Sequence, residues 1–233
     1  MIRNEVLTLS GHPLSVYVQF LRHIVRFGIE YESEPDEAGK EKGPIVIESE
    51  PIVVTLDYTR TIKDFEALRE AAPQSHPDAY ADYALQVIEG KNCEGFEYSY
   101  YERLFEHPCD ECFGINQIYG IVERLKKQKY SRRALAATWH PTRDLDEETI
   151  HTPCLQLVQF WTDAQTGKLE MQTVWRSRDM YKAFPMNVWA MLALFKFVSD
   201  SVGIQPGIYR DFSIHPHVYK NDVDSIKKLV KVK

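Results

Sequence analysis

The sequence predicts an α+β fold in which helices pack against one mixed β-sheet. Apolar residues recur at helical spacing in two segments, residues 14–25 and 115–125. Short runs rich in β-branched and aromatic residues predict strands elsewhere in the chain. A further segment, residues 186–198, is apolar nearly all round, which predicts a buried helix through the centre of the fold.

The residues that flank these segments support the helical interpretation. The first predicted helix has Pro13 near its start and Gly28 just past its end, where each residue type is favoured. The second is followed by three lysines, and cations stabilise the C-terminal end of a helix. Residues 62–69 suggest another helix, which we expect to end in the proline-containing segment 71–78.

Five segments have the composition of strands. They are residues 45–47, 52–56, 134–139, 155–162 and 169–175. The last two flank a turn that ends in Thr166-Gly167, and this arrangement predicts a β-hairpin. Residues 32–43 are polar and charged with little to bury, so we expect a solvated loop there.

Composition limits the classes of protein to which the chain can belong. With 233 residues, 44% of them hydrophobic, the chain can bury a substantial core, and we expect one domain over residues 1–233. The formal net charge of -6 argues against binding to nucleic acid or to an anionic membrane, because both need a broad cationic surface. Any phosphate must therefore be bound locally.

The location of the protein is also predicted from composition. The N-terminal residues 1–11 lack the apolar region of a secretory signal, and residues 185–198 are too few to span a bilayer. Four cysteines are too few for a disulfide scaffold in a chain of this length. We therefore expect a soluble, cytoplasmic protein in a reducing compartment.

Candidate functional residues occur in a distinctive order. Taken singly they mean little, since a lone cysteine such as Cys154 in an apolar setting more often belongs to a core. The ordered fragments are Ser131-Arg132-Arg133, Trp139, Pro153-Cys154 with Gln159-Phe160, Gly167-Lys168-Leu169, Arg176-Ser177-x-Asp179, Pro185-x-Asn187 and His217-x-Tyr219. In order and spacing they resemble the thymidylate synthase family over about residues 116–222.

The resemblance implies a covalent mechanism at a pyrimidine ring. A uracil ring is a poor nucleophile at C5, but a thiolate that adds at C6 makes C5 reactive towards a one-carbon donor. Cys154 matches the family's attacking nucleophile. By resemblance Arg176 lies beside it, binds the substrate phosphate with its planar fork and lowers the pKa of the thiol. Tyr100 is our choice for the family's tyrosine near the nucleophile, with Tyr98 the alternative.

The resemblance also implies a homodimer with shared active sites, assembled sheet to sheet. Arg176 and Ser177 would bind the phosphate of the nucleotide bound to their own chain. Arg132 and Arg133 would reach into the site of the partner subunit.

Four further residues receive roles by resemblance. Asn187 would pair with the O4 and N3 edge of uracil, since a carboxamide can both donate and accept hydrogen bonds. His217 and Tyr219 would hold the 3′-hydroxyl of the sugar, and Asp179 would contact the pterin of the donor. The donor would be 5,10-methylene-tetrahydrofolate or methylene-tetrahydromethanopterin.

These residues also have purely structural interpretations. Asn187 could cap a helix that begins at Met186, and His217 and Tyr219 could be a half-buried pair on a strand. Asp179 could form a surface ion pair with a neighbouring cation, Arg178 or Lys182.

The chain departs from the family pattern at several positions. The departures are Leu155 after the nucleophile, Trp175 before the phosphate arginine, Ala183 ahead of the Pro185-x-Asn187 motif, and Ile214-His215-Pro216 before the sugar-binding histidine. The family's N-terminal Arg-Thr-Gly loop and its apolar C-terminal tail are not visible in the sequence either. These two absences resemble the short archaeal branch of the family, in which a different N-terminal half replaces the usual one. Candidates for the family's catalytic glutamate are Glu66, Glu70 and Glu97.

Cys109 and Cys112 have the spacing of a metal or redox pair. A zinc site needs about four ligands, usually from two such pairs, so we expect a loop and no metal site here.

Three functions agree with these features. The leading one is thymidylate synthase, which makes dTMP from dUMP. The first alternative is a hydroxymethylase acting on dUMP, dCMP or CMP, which shares the early steps and then adds water. The second is a non-catalytic relative that only binds nucleotide. Asn187 favours uracil, because family members that take cytosine often have Asp at this position.

Overall fold

The computed structural model describes residues 5–35, 40–91, 98–109, 114–146, 149 and 151–231. Two of the residues discussed above, Glu97 and Cys112, lie outside the described residues. No helix within the described ranges combines the length and the apolar character that a membrane crossing requires.

The described residues form an eight-stranded mixed sheet. The strands are β1 (Leu7–Ser10), β2 (Ile29–Glu32), β3 (Ile45–Glu48), β4 (Ile52–Asp57), β5 (Ala134–Ala137), β6 (Leu155–Thr162), β7 (Leu169–Asp179) and β8 (Pro206–Tyr219). Their order is β1-β4-β8-β7-β6-β5, and β3 joins the far end of β8 and pairs with β2. The β1/β4 and β7/β8 pairs are parallel and the others antiparallel, so the predicted mixed sheet is confirmed.

Helices cover this sheet. They are α1 (Pro13–Phe27), α2 (Tyr58–Ala71), α3 (Ala79–Glu89), α4 (Tyr100–Phe105), α5 (Gln117–Lys127), α6 (Pro141–Asp144), α7 (Ala183–Val202) and α8 (Val223–Val230). The predicted α+β class is therefore confirmed. Pro13 occupies the first turn of α1 and Gly28 follows its last residue, as the sequence predicts.

The predicted central helix is α7, and it begins three residues earlier than expected. Its residues are buried on several sides, and Phe184 at its start packs edge to face on Phe20 of α1, with ring centroids 4.7 Å apart. The helix ends at Gly203, whose φ of 73° places it in the left-handed region that glycine adopts without strain. The core thus lies between the sheet and the helices α1 and α7.

The predicted hairpin is also confirmed. Strands β6 and β7 pair antiparallel, with Thr162 opposite Leu169. In the turn, Asp163 Oδ1 accepts hydrogen bonds from the backbone N–H groups of Gln165 and Thr166, at 3.1 and 2.7 Å. Gly167 has a φ of 70°, which the turn requires. The hairpin positions the N-terminal end of β6 next to the C-terminal half of β7.

The sequence interpretation missed several elements. It assigned no strand to residues 7–10 and no helix to residues 79–89, and it treated the long strand β8 only as a local pair at His217 and Tyr219. Strand β7 is four residues longer than predicted, and β5 ends two residues earlier. The extra length of β7 and β8 matters for function, because their C-terminal ends reach the candidate site.

Candidate active site

A cavity of about 1310 Å³ lies at the C-terminal ends of β7 and β8. Its other walls come from the segment before β6, the start of α7, the helix α3 and the strands β2 and β3. Eight of the residues singled out by the sequence line it: Tyr100, Cys154, Arg176, Ser177, Asp179, Asn187, His217 and Tyr219. The fold therefore brings together residues that are up to 119 positions apart.

Cys154 lies just before β6 and is half-buried at the cavity wall. Its backbone carbonyl accepts a hydrogen bond of 2.8 Å from the backbone N–H of Arg176, which places the two residues side by side. Burial raises the pKa of the Cys154 thiol, and the nearby cations of Arg176 and Arg178 oppose that effect without cancelling it. Arg176 thus lowers the pKa of the thiol as expected, but burial has the larger effect, so the pKa of Cys154 in the single chain is raised.

Arg176 also holds the backbone that carries the cysteine. Its Nε donates to the carbonyl of Pro153 at 3.1 Å, and its Nη2 donates to the carbonyl and hydroxyl oxygens of Thr152 at 3.0 and 2.7 Å. Within the described residues its Nη1 makes no hydrogen bond, so one edge of the guanidinium remains for a ligand in the cavity. Arg176 can therefore hold the backbone before Cys154 in place and bind an anion at the same time.

Two tyrosines surround the cysteine. The backbone N–H of Leu155 donates to the hydroxyl of Tyr100 at 3.2 Å, and Tyr98 forms hydrogen bonds with Tyr100 and with the backbone of Cys154. The two tyrosine rings meet edge to face with centroids 5.7 Å apart. Burial raises the pKa of both hydroxyls, so both stay neutral and can donate or accept hydrogen bonds near the thiol.

Asn187 lies in the second turn of α7 and is only 6% exposed. It does not cap the helix, because α7 begins at Ala183 and Lys182 is the capping residue. The Asn187 Nδ2 donates a hydrogen bond of 2.8 Å to the hydroxyl of Tyr83 on α3. Sequence motifs gave no indication of Tyr83, which also lines the cavity.

The ends of β7 and β8 supply a polar wall. Asp179 lies opposite His217 in the strand pair, and the rings of His217 and Tyr219 meet edge to face at 5.5 Å. Asp179 accepts hydrogen bonds from the backbone N–H groups of Tyr181 and Lys182 at 2.8 and 3.2 Å. Burial raises the pKa of Asp179, with these two hydrogen bonds and His217 acting in the opposite direction.

The surface ion pair considered for Asp179 does not form. Arg178 turns instead into the core, where it makes a bidentate salt bridge to Asp211 with N···O distances of 2.8 Å. Its guanidinium lies between the rings of Trp175 and Phe184, 4.3 and 4.5 Å from their centroids. The Lys182 ammonium pairs with Asp222 at 2.7 Å. Asp179 thus keeps its carboxylate towards the cavity.

Comparisons with known proteins identify the family of this chain. The family model for thymidylate synthase matches residues 69–233. The chain belongs to the thymidylate synthase family. The match starts well before residue 116, so the family likeness covers more of the chain than the motifs indicated.

Relatives with similar sequences carry the same family name. A protein of Methanocaldococcus jannaschii described as "Putative thymidylate synthase" is 35% identical over 92% of this chain and 91% of its own length. Proteins with the same description from Methanopyrus kandleri and Methanosarcina barkeri are 32% and 35% identical. They cover 93% and 77% of this chain, and 98% and 76% of their own lengths. Membership of the thymidylate synthase family implies a pyrimidine nucleotide substrate.

Two arginines of the thymidylate synthase pattern lie away from the cavity. Arg132 and Arg133 are exposed just before β5, the strand at one edge of the sheet, and neither lines the cavity of its own chain. The backbone N–H of Arg133 donates to the hydroxyl of Ser131, and the Arg132 carbonyl accepts from Gln159.

Two of the three candidates for the family's catalytic glutamate are not brought to the site, and the third, Glu97, lies outside the described residues. Glu66 and Glu70 lie exposed on α2, and Glu66 pairs with Arg69. Neither lines the cavity. Glu48 on β3 does line it, accepts a hydrogen bond of 2.6 Å from Tyr31 and lies 3.0 Å from the ring of His215. The sequence reading missed Glu48 because β3 lies outside the region where motifs could be aligned.

Of the cysteine pair predicted to have metal or redox spacing, Cys109 lies within the described residues and Cys112 outside them. Cys109 is disulfide-bonded, and Cys154 is the free cysteine of the described residues. No group of three metal-binding side chains occurs in the described part of the chain.

Proposed function

We propose that the protein is a thymidylate synthase that methylates dUMP to dTMP with a methylene-tetrahydropterin donor. One observation carries the proposal: Cys154 before β6, Arg176 on β7 and Asn187 on α7 line a single cavity. A thiol, a phosphate-binding cation and a base-reading amide are the three groups that covalent chemistry on a pyrimidine nucleotide requires.

The residues suggest how a nucleotide would lie. The phosphate would meet the unbonded edge of the Arg176 guanidinium and the hydroxyl of Ser177. The ring edge would meet Asn187, and the sugar hydroxyl would meet His217 and Tyr219 at the C-terminal end of β8. In this pose C6 of the ring would lie near Cys154.

The chemistry would begin at the thiol. The Cys154 thiolate forms the bond to C6, and the electron pair moves to C5 and O4 of the ring. Because burial raises the pKa of Cys154, the thiol would pass its proton to solvent as the nucleotide binds. The neutral hydroxyls of Tyr98 and Tyr100 next to it can relay that proton, since each both donates and accepts hydrogen bonds. The side-chain amide of Asn187 would stabilise the charge that develops at O4.

The cavity has room for a second ligand. Drug-sized molecules fill pockets of about 300 to 1000 Å³, so a cavity of about 1310 Å³ can hold a nucleotide and a donor together. Asp179, which lines the cavity at the end of β7, would contact the pterin through its carboxyl oxygens. The donor, either 5,10-methylene-tetrahydrofolate or methylene-tetrahydromethanopterin, supplies the one-carbon unit and the hydride when bound.

Mass analysis of the product tests this function. Purified protein is incubated with dUMP or dCMP and with each methylene donor, and a methylated product from dUMP is the expected result. A hydroxymethylated product would replace the proposal with the pyrimidine hydroxymethylase reaction. Binding of nucleotide with no product from any pair would support a non-catalytic relative.

A second assay addresses the covalent step. Tritium release from 5-tritiated dUMP requires addition at C6, so Cys154→Ala should fold normally and release no tritium. Release at the wild-type rate from this variant would contradict the role of the cysteine.

A further inference from the structure

The carboxamide of Asn187 is held by a residue from another helix. Its Nδ2 donates to the hydroxyl of Tyr83 on α3 at 2.8 Å, and both residues line the cavity. Among the described residues this is the one hydrogen bond of the Asn187 side chain. The amide is therefore oriented before any ligand arrives.

This orientation determines which atoms face a bound base. A carboxamide has two N–H donors and one carbonyl acceptor, and Tyr83 takes one of the donors. The second N–H and Oδ1 remain, which complement the O4 acceptor and the N3–H donor of uracil. Cytosine has a donor in place of O4 and an acceptor in place of N3–H, so it requires the amide to turn over.

The hydroxyl of Tyr83 affects the two orientations of the amide unequally. Burial raises the pKa of Tyr83, so the hydroxyl stays neutral and can either accept or donate. If the hydroxyl were absent, the orientation that suits uracil would leave a buried N–H without a partner. The reversed orientation would leave only one lone pair of the Asn187 carbonyl oxygen without a partner. Buried N–H groups without a partner are rarer in proteins than carbonyl oxygens with an unused lone pair, so loss of the hydroxyl disfavours the uracil orientation more.

We propose that Tyr83 is a specificity-determining residue, whose hydroxyl holds the Asn187 carboxamide in the orientation that reads uracil. This inference rests on the proposed function in one respect, namely that Asn187 contacts the pyrimidine ring. It adds a residue of α3 to the base-recognition site.

The test compares two tyrosines of the same helix. Tyr80 also lies on α3, and its buried hydroxyl has no hydrogen-bond partner within the described residues, so Tyr80→Phe removes the same atom without breaking a bond. Dissociation constants of dUMP and dCMP are measured by calorimetry for the wild type, Tyr83→Phe and Tyr80→Phe. Tyr83→Phe should reduce the preference for dUMP over dCMP about tenfold, because a buried donor loses its partner only in the uracil orientation.

Each outcome decides a different point. If Tyr83→Phe unfolds thermally like the wild type and keeps the wild-type ratio of the dCMP and dUMP dissociation constants, the inference is wrong. The inference is also wrong if Tyr80→Phe changes this ratio as much as Tyr83→Phe does. If Tyr83→Phe is unstable, Tyr83→Met, which also lacks the hydroxyl, replaces it in the same comparison. A wild type that binds neither nucleotide would contradict the proposed function, and the inference with it, whereas an unchanged ratio in Tyr83→Phe would contradict the role of Tyr83 alone.

Discussion

At the residue scale, two opposing effects act on the thiol of Cys154. Burial disfavours the thiolate, and the cations of Arg176 and Arg178 favour it, with burial the larger effect. Arg176 is fixed by its bonds to Thr152 and Pro153, so its charge stays close to the thiol and cannot swing away. A raised pKa keeps the thiol protonated, and hence less reactive towards other electrophiles, until the substrate binds.

This balance predicts the pH dependence of Cys154 alkylation. The thiolate reacts with iodoacetamide, so the rate should rise with pH and reach half its maximum above the ordinary thiol pKa of ~8.5. Arg176→Met should move that midpoint to higher pH, because it removes a charge that stabilises the thiolate. The rate is followed by mass spectrometry of the peptide that contains Cys154.

Arg60→Met serves as the control for Cys154 alkylation, since Arg60 is an exposed cation on α2 that does not line the cavity. It should leave the midpoint unchanged. A midpoint that stays in place or falls in Arg176→Met would contradict the electrostatic role of Arg176.

Base choice gives a second prediction at this scale. Asn187→Asp should weaken turnover of dUMP and improve that of dCMP, because a protonated carboxyl can serve the N3 and N4 edge of cytosine. Unpaired buried polar groups cost about 1 to 3 kcal/mol each, so the ratio of kcat/KM for the two nucleotides should change at least tenfold. A wild type that already prefers dCMP or CMP would show that the uracil assignment is wrong.

At the scale of elements, the central strands β7 and β8 are joined by a buried network. Arg178 of β7 pairs with Asp211 of β8, and both side chains are 1% exposed. The indole Nε1 of Trp175 donates to Asp211 Oδ2 at 3.2 Å and to the Thr173 hydroxyl at 3.0 Å. The network connects the core of the sheet to the strand ends that form the cavity.

This network predicts a large loss of stability on breaking the pair. Asp211→Ala leaves the Arg178 charge buried without a partner and should lower the free energy of unfolding by about 3 to 5 kcal/mol. The double variant Arg178→Met/Asp211→Ala should recover part of this loss, because it removes both charges. Chemical denaturation measures the three free energies.

The neighbouring Ser213 provides the matched control for Asp211→Ala. It lies two residues further along β8, is 1% exposed, and its hydroxyl has no partner in the described chain. Ser213→Ala should therefore change the free energy of unfolding little. An effect of Asp211→Ala no larger than that of Ser213→Ala would show that the pair does not stabilise the strands.

Periodic elements were predictable from the sequence, and elements defined by distant partners were not. The helices α1, α5 and α7 and the hairpin β6/β7 each carry their pattern within a few adjacent residues. Strand β8 has Asp211 on its buried face. An aspartate normally indicates a surface position, and only its partner Arg178, 33 positions earlier, explains why this one is buried. The same reason applies to Tyr83, since its link to Asn187 spans 104 positions.

At the scale of the whole molecule, the face of the sheet opposite the core carries half-buried side chains. One row across four strands consists of Val53, Phe212, Val174 and Leu157, and the next of Thr55, Arg210, Gln172 and Gln159. Within the described residues the helices that pack on the core, α1 and α7, lie on the other face. A second copy of the chain packed on this face would bury the apolar row.

Such a dimer would explain where Arg132 and Arg133 lie. Both are exposed next to the edge strand β5 and take no part in the cavity of their own chain. In a symmetric dimer every contact between the protomers occurs twice. If the two arginines of one protomer reach the cavity of the other, each cavity would therefore receive two arginines from its partner. These cations would complete the phosphate site that Arg176 and Ser177 begin.

A mixing experiment tests the shared site. Arg133→Ala and Cys154→Ala chains should each be inactive or nearly so. In a mixed dimer, however, one cavity combines the intact Cys154 of the first chain with the intact Arg133 of the second. With free subunit exchange half of the dimers are mixed and each has one working site, so activity should return to about a quarter of the wild-type value.

The control pairs Cys154→Ala with Arg176→Ala. Both residues line the cavity of their own chain, so neither site of a mixed dimer contains both intact and no activity should return. Subunit exchange is followed independently with fluorescently labelled chains. If subunits exchange but the mixture of Arg133→Ala and Cys154→Ala chains stays inactive, Arg133 acts within its own chain. If activity returns in the control mixture, Cys154 and Arg176 belong to different sites.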